Sequence, residues 1–177
     1  GGLTFNTVGN ITLNGEVDSQ GSITTSQRAG SITIGKAVDA TQAIYLQANQ
    51  QVDIKAEGSV KSQTTLILDT KADLVITGAV YAAGDLTLKA NHYTNTGQVL
   101  SDRAFMLTTT GNVTNSGTLQ GLQLKDWSIG GDLTNNANAK IMAKQQGSQI
   151  HVTGTLTNKG TLFSQGIWTT TPKQINN

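Results

Sequence analysis

The chain has 177 residues and a net charge of +1, and only 13% of its residues are charged, while Thr, Asn, Gln and Ser supply 67 residues. No apolar run approaches the roughly 18 to 20 residues of a membrane-spanning helix, and the 12 basic residues are scattered singly rather than clustered for nucleic acid. The lack of cysteine excludes disulfides and thiolate metal sites. Because 27 residues are Thr and 14 are Asn, we expect a β-rich chain without membrane insertion or nucleic-acid binding.

A glycine followed two positions later by Val or Leu recurs along the chain. Eight copies, two of them degenerate, lie 20, 23, 20, 19, 20, 22 and 21 residues apart. Their anchor residues are Gly15, Gly35, Gly58, Gly78, Gly97, Gly117, Ala139 and Gly160. Self-similarity at a nearly constant spacing indicates a solenoid.

Short runs of alternating apolar and polar residues lie between the anchors. Examples are Ile44–Leu46, Leu66–Leu68 and Ile150–Val152, and this period of two predicts β-strands. The segment 39–56 could instead be helical, since Ile44, Ala48 and Val52 recur at every fourth residue. We favour strands there, because the next anchor, Gly58, stays in phase with its neighbours.

A coil of about 20 residues cannot bury its apolar face alone, whereas stacked coils bury a continuous core. The sequence therefore predicts an all-β fold, a parallel β-helix (solenoid) of about eight coils of roughly 20 residues. The repeat array is expected over residues 1–165, with a C-terminal tail or cap at 166–177. Trp168 lies beyond the last anchor, where its side chain could cover the end of the core.

Two sequence columns precede the anchors at positions that should face the same side of a strand. Apolar residues such as Ile54 and Leu74 lie four positions before their anchors. The column two residues before the anchor changes from Leu13, Ala56 and Ile76 to asparagines in the later copies, Asn95, Asn115, Asn135 and Asn158, where Leu133 and Asn135 match if the extra residues around Asn138 are looped out. Asparagines in register can donate to the next coil and accept from the previous one, which would form a structural Asn ladder. The alternative is four unstacked turn residues with left-handed backbone.

Parallel β-helices also form carbohydrate-active enzymes, so a polysaccharide lyase or hydrolase is the alternative to a non-enzymatic protein. The best acidic group is Asp53, Asp73 and His92, each five residues before its anchor, with Asp132 further along. Stacked carboxylates ~5 Å apart could share a proton or bind a cation. The same positions elsewhere carry small polar residues, which favours an outward turn. We therefore predict no catalytic, cofactor or metal site.

One aromatic residue is a candidate for partner contact. Trp127 follows Lys125 and Asp126 within one of the longer intervals between anchors. An exposed Trp on a bulge would suit a protein partner or a stacked sugar. Burial of the same side chain in the core is the competing interpretation.

Several short sequence segments resemble filamentous-haemagglutinin-type repeats. They are Tyr-Thr-Asn-Thr-Gly-Gln-Val at 93–99, Val-Thr-Asn-Ser-Gly-Thr-Leu at 113–119 and Leu-Thr-Asn-Lys-Gly-Thr-Leu at 156–162, with Gly-Asp-Leu-Thr at 84–87 and 131–134. Such repeats belong to exoproteins secreted by the two-partner pathway of Gram-negative bacteria, which include filamentous adhesins and the contact-dependent growth-inhibition toxins called CdiA. The resemblance covers most of residues 11–163.

The resemblance implies a right-handed β-helical shaft that is secreted and displayed on the bacterial cell surface. It implies two partners, an outer-membrane transporter of the two-partner secretion type and a target-cell surface receptor, which is a protein or a glycan. It implies no cofactor. The expected role is adhesion or receptor contact, together with projection of an adhesin or a toxin.

Overall fold

The computed structural model describes residues 1–177, which form 27 β-strands joined by short turns. The strands build three parallel sheets, and successive strands of the chain enter sheets A, B and C in turn. No helix is present that could cross a membrane. The fold is an all-β parallel β-solenoid of about nine turns.

Sheet A contains β1 (Leu3–Phe5), β4 (Ile23–Thr25), β7 (Ile44–Ala48), β10 (Leu66–Thr70), β13 (Leu86–Ala90), β16 (Ala104–Thr109), β19 (Gln123–Leu124), β20 (Trp127–Ile129), β23 (Ser148–Val152) and β26 (Trp168–Thr170). Sheet B contains β2 (Ile11–Leu13), β5 (Ile32–Ile34), β8 (Val52–Ile54), β11 (Leu74–Ile76), β14 (Tyr93–Asn95), β17 (Val113–Asn115), β21 (Leu133–Asn135), β24 (Thr155–Asn158) and β27 (Gln174–Asn176). Sheet C contains β3 (Val17–Ser19), β6 (Ala37–Ala40), β9 (Ser59–Ser62), β12 (Ala79–Ala82), β15 (Gln98–Ser101), β18 (Thr118–Gly121), β22 (Lys140–Ala143) and β25 (Thr161–Ser164).

Each strand pairs in register with the equivalent strand one turn away. In sheet C, for example, Val80, two residues after the anchor Gly78, pairs with Val60 on one side and with Val99 on the other. Inward residues alternate with outward ones, and the inward residues of all three sheets join in a core cluster of 37 buried side chains. Burial of this core therefore depends on contacts between turns, as expected for a solenoid.

The prediction of strands over 39–56 is confirmed, since β6, β7 and β8 occupy that segment. The last twelve residues, 166–177, contribute β26 and β27, which pair with β23 and β24. They continue sheets A and B, so the stack reaches about nine turns rather than eight. Trp168 is partly buried and packs against the core.

The register of one sequence column differs from the prediction. Leu74 pairs with Val52 and Ile76 pairs with Ile54, whereas the anchor alignment had placed Ile54 and Ala56 in these two columns. The turn over 55–58 is two residues longer than its neighbours and leaves Ala56 exposed. The same insertion occurs over 136–139, where the looping out around Asn138 was expected from the sequence.

Candidate functional site

A line of asparagine side chains runs through the interior of the C-terminal turns. The Nδ2 of Asn95 donates to the Oδ1 of Asn115 at 2.8 Å, and Asn115 and Asn135 donate in the same way to the next asparagine, each at 2.9 Å. Asn158 then donates to Asn177 at 2.7 Å. Asn95, Asn115 and Asn135 are completely buried. Each amide supplies the acceptor that the previous amide needs, so the buried polar groups are satisfied.

Backbone groups close by supply the remaining hydrogen bonds of these side-chain amides. In Asn115, the Oδ1 accepts from the N–H of Gly117 at 3.2 Å, and the Nδ2 also contacts the carbonyl oxygens of Gly117 and Lys140 at 3.2 and 3.1 Å. The alternative of left-handed turn residues is wrong for this column. Only Asp126 and Asn138 among the non-glycine residues have positive φ, whereas the ladder asparagines end strands of sheet B.

The anchor glycines stack directly beneath one another beside the ladder. A Cβ on Gly97 would collide with the carbonyl oxygen of Gly78, and a Cβ on Gly117 would collide with that of Gly97. Gly15, in the first turn, has no atom within 4 Å of the equivalent position. Close approach of successive backbones therefore requires glycine in the middle of the stack but not at Gly15.

The acidic group predicted from the sequence is only partly assembled. Asp73 and His92 do lie one turn apart, because Leu74 pairs with Tyr93. Asp53 pairs in register with Val75 instead, and its carboxylate binds Lys55 at 2.5 Å. The predicted stacking of Asp53 on Asp73 is therefore wrong. The reason is the longer turn over 55–58, which exposes Ala56 and shifts the register by two residues. No group of three or more His, Asp or Glu residues is placed to hold a metal ion.

The column that contains Asp73 and His92 has a structural role at the entry to sheet B. The Nδ1 of His92 accepts from the N–H of Asn112 at 2.9 Å, and the Oδ1 of Asn112 accepts from the N–H of Asp132 at 2.9 Å. Asp132 accepts from the N–H of Thr155 at 2.8 Å. His92, Asn112 and Asp132 thus each satisfy a backbone donor of the next turn, in agreement with the outward-turn interpretation.

The candidate partner contact at Trp127 is corrected by the structure. Trp127 is only 1% exposed, its Nε1 donates to the carbonyl oxygen of Phe105 at 2.8 Å, and the two rings meet edge to face with centroids 5.1 Å apart. Lys125 and Asp126 are exposed beside it. The indole fills the core because its N–H finds a partner there, so Trp127 presents no side chain to a ligand.

The backbone bulges where Lys125 and Asp126 stand. Phe105 pairs with Leu124, and Thr108 pairs with Ser128, so the stretch from Leu124 to Ser128 contains one residue more than the facing stretch of β16. Asp126 takes a left-handed conformation with φ of 52° at this point. A bulge of this kind bends the strand and changes the direction of the side chains beside it.

A concave surface follows the bulge on the outer face of sheet A and continues onto the turns that connect sheet C to sheet A. Three adjoining cavities of about 370, 490 and 620 Å³ are lined mainly by amide and hydroxyl side chains of the last three turns. The sequence reasoning missed this surface. Its signal was the run of glutamines at 145, 146 and 149 inside an interval of 21 residues between anchors.

Two tyrosines have shifted acid–base properties for different reasons. Burial raises the pKa of Tyr93 well above its usual value of 10.0, and its hydroxyl has no hydrogen-bond partner. The hydrogen bond to Asp102 raises the pKa of the half-buried Tyr81. Both hydroxyls are therefore kept protonated. Tyr93 fills the core at the start of β14, the strand that carries the first ladder asparagine.

The fold and the repeat define a class, the parallel β-solenoids, and are compatible with a β-helical repeat region. No family model matches the chain, and no curated protein or solved structure matches it either.

Proposed function

We propose that the chain is a non-enzymatic shaft segment of a large exoprotein that is secreted and displayed on the Gram-negative cell surface. The observation that carries this proposal is the continuous pairing of the stack, in which each turn pairs with the next along all three sheets. Such a stack has a fixed length and direction, because every turn is held by its neighbours through backbone hydrogen bonds.

The sequence segments that resemble filamentous-haemagglutinin-type repeats coincide with the structural elements of one turn of the solenoid. In residues 113–119, Val113 is an inward residue of sheet B, and Asn115 belongs to the ladder. The anchor Gly117 stacks on Gly97, and Leu119 is an inward residue of sheet C. The resemblance therefore concerns residues that build the rod. It supports a shaft within an adhesin or a CdiA-type toxin-delivery protein.

Two partners belong to this proposal. One is an outer-membrane transporter of the two-partner secretion type, which would pass the unfolded chain before its turns stack. The other is a target-cell surface receptor.

Surface display tests the proposal directly. The full reading frame that contains this chain is expressed with and without its adjacent transporter gene, and protease treatment of intact cells reports exposure of the segment. We expect cleavage only with the transporter. A segment that stays protected or intracellular with the transporter present would overturn the proposal.

A pair of deletions tests the shaft role. Removal of residues 97–116 joins Thr96 to Gly117 and deletes one whole turn, so display and target-cell attachment should persist. Removal of 107–116 deletes half a turn, breaks the register and should abolish both. Equal effects of the two deletions would contradict a shaft. Release of reducing ends or unsaturated products from a polysaccharide by the purified chain would favour the enzyme alternative.

A further inference from the structure

The regular repeat of the solenoid is interrupted at one place on the outer face of sheet A. There β16 faces the two short strands β19 and β20 with the extra residue between them. Two of the three residues with positive φ, Asp126 and Gly147, lie at this place. Bulges and unusual backbone conformations cluster at functional sites, where they redirect side chains. An otherwise flat sheet face becomes concave here.

The concave surface is continuous across the sheet. The cavity beside Ser128 and His151 shares Gln149 and Thr169 with the next cavity, which shares Gln123 and Gln146 with the third. At ~3.3 Å per residue, β23 (Ser148–Val152) gives the groove roughly 13 Å of length, and the turn at Gln146 and Gly147 extends it further. We call this surface the sheet A groove. Its length accommodates several sugar residues of an oligosaccharide.

Uncharged hydrogen-bonding groups dominate the lining of the sheet A groove. The amide and hydroxyl side chains include Gln123, Ser128, Gln146, Gln149, Gln165 and Thr169. The ionisable side chains are one acid, Asp126, one base, Lys144, and His151. Amides and hydroxyls both donate and accept, which matches the hydroxyl groups of a sugar.

The walls of the groove are held in place before any ligand arrives. The Nε2 of Gln123 donates to the carbonyl oxygen of Gln146 at 3.0 Å, and the N–H of Gly147 donates to the carbonyl oxygen of Ile167 at 3.0 Å. The Nδ1 of His151 lies 2.8 Å from the Oγ1 of Thr171. A surface that is already ordered loses less entropy on binding.

We propose that the sheet A groove binds an uncharged oligosaccharide. A peptide is a poorer occupant, because β20 and β23 already pair with neighbouring turns on both edges and, of the strands here, only β26 at the end of the sheet has a free edge. Ile167 is the one large exposed apolar side chain in the lining. An acidic glycan or a nucleic acid would meet a single lysine, too few cations for such a ligand. The proposal deepens the receptor contact in the proposed function by naming its site and ligand class.

Titration of the purified 177-residue chain with neutral and acidic oligosaccharides tests the groove. The probes are maltotetraose, cellotetraose and chitotetraose, with a heparin tetrasaccharide and a tetragalacturonate as acidic comparisons. We expect at least one neutral probe to shift the side-chain amide resonances of Gln123, Gln146 and Gln149 saturably. Absence of binding by all three neutral probes, or preferential binding of the acidic ones, would overturn the proposal.

The double variant Gln149→Ala/Thr169→Ala removes two lining groups shared by adjoining cavities. Its affinity for the neutral probe should fall at least tenfold, whereas the control Gln120→Ala, on the outer face of sheet C, should bind like the wild type. Circular dichroism verifies the fold of both variants. Equal affinities of the double variant and the control would overturn the site.

The two proposals can fail separately. Normal surface display and cell attachment, with no neutral oligosaccharide bound by the purified chain, would remove the groove and keep the shaft. Saturable binding in the groove by a chain that is never displayed on the cell surface would remove the shaft and keep the groove.

Discussion

The N-terminal and C-terminal halves of the solenoid fill the same inward position of sheet B in opposite ways. Four aliphatic side chains occupy it in the first four turns, and amides occupy it from the fifth turn onward. The members in chain order are Leu13, Ile34, Ile54, Ile76, Asn95, Asn115, Asn135, Asn158 and Asn177. One backbone geometry thus accepts either a hydrophobic column or a hydrogen-bonded one.

The two solutions differ in how strongly neighbouring turns depend on each other. An isoleucine gains from burial whichever apolar residue lies above it. A buried amide needs hydrogen-bond partners for both its oxygen and its nitrogen, so loss of one member removes a hydrogen bond from each of its two neighbours in the ladder. Ion pairs follow the opposite division. All three, Arg28–Asp69, Lys36–Glu57 and Lys55–Asp53, lie in the N-terminal part of the chain.

Interruption of the ladder at its middle should have the largest effect. Asn115→Ala removes the hydrogen bonds to Asn95, Asn135 and Gly117 at once, so we expect a loss of about 4 kcal/mol in the free energy of unfolding. Urea denaturation measures it. Ile54→Ala, a control in the aliphatic half, should leave the Asn95 amide resonances unchanged. A loss below that of Ile54→Ala would contradict interdependence of the amides.

The glycine stack should be almost as sensitive. Gly97→Ala places a methyl group against the carbonyl oxygen of Gly78 and 2.6 Å from that of Thr77, which should reduce stability by about 3 kcal/mol because backbone cannot move aside cheaply. Gly15→Ala meets open space and should change stability by less than about 0.5 kcal/mol. Thermal denaturation of both variants compares them. Similar melting temperatures would show that the stack is looser than described.

The border between the halves offers a finer comparison. Ile76 lies directly below Asn95, so Ile76→Asn extends the ladder by one amide, whose Nδ2 can donate to Asn95. Ile54→Asn places an amide between Ile34 and Ile76, without an amide on either side. We expect Ile54→Asn to be less stable than Ile76→Asn by about 2 kcal/mol, the penalty of an unsatisfied buried amide. Equal urea midpoints would contradict the need for amide neighbours.

The smallest effect should come from the surface charges of the N-terminal half. Hydrogen bonding to Lys36, assisted by its charge, lowers the pKa of Glu57 below 4.5, and the same pairing raises the pKa of Lys36 above 10.5. The carboxylate therefore stabilises the fold at neutral pH, and this contribution disappears as the pH falls below 4.5 through the lowered pKa.

Glu57→Gln should abolish that part of the acid dependence. We expect wild type and Glu57→Gln to converge in urea midpoint as the pH falls from 7 to 3, and 1 M salt to reduce their difference at pH 7. Asn115→Ala, in the uncharged ladder, should show the same deficit at both pH values. A difference between wild type and Glu57→Gln that grows on acidification would reverse the sign argued here.

Much of the fold could be predicted from the sequence because every repeat carries the same pattern of strand residues. Val17, Val60, Val80 and Val99 identify one inward position of sheet C without any structural knowledge. The register at 52–56 could not be predicted in the same way. Ile54 and Ala56 are both apolar, so the alignment tolerates a shift of two residues, and the longer turn becomes evident only when Val52 pairs with Leu74.

The candidate site was less accessible from the sequence. Trp127 beside Lys125 and Asp126 suggests a surface bulge, and the bulge exists, yet the indole turns inward because the carbonyl oxygen of Phe105 accepts its N–H. The glutamines of the sheet A groove come from turns more than 20 residues apart, such as Gln123 and Gln146. Their convergence depends on how the turns stack.

The sequence by itself determined the period, the strand positions and the change from aliphatic residues to asparagine along one column, because these follow from local spacing and polarity. Tertiary structure decided which side chains meet: that Asn95 donates to Asn115, that Asp53 pairs with Lys55 rather than stacking on Asp73, and that Trp127 is buried. The physical reason is that neighbours in a solenoid lie about 20 residues apart in the chain, so small differences in turn length select the partner of every side chain.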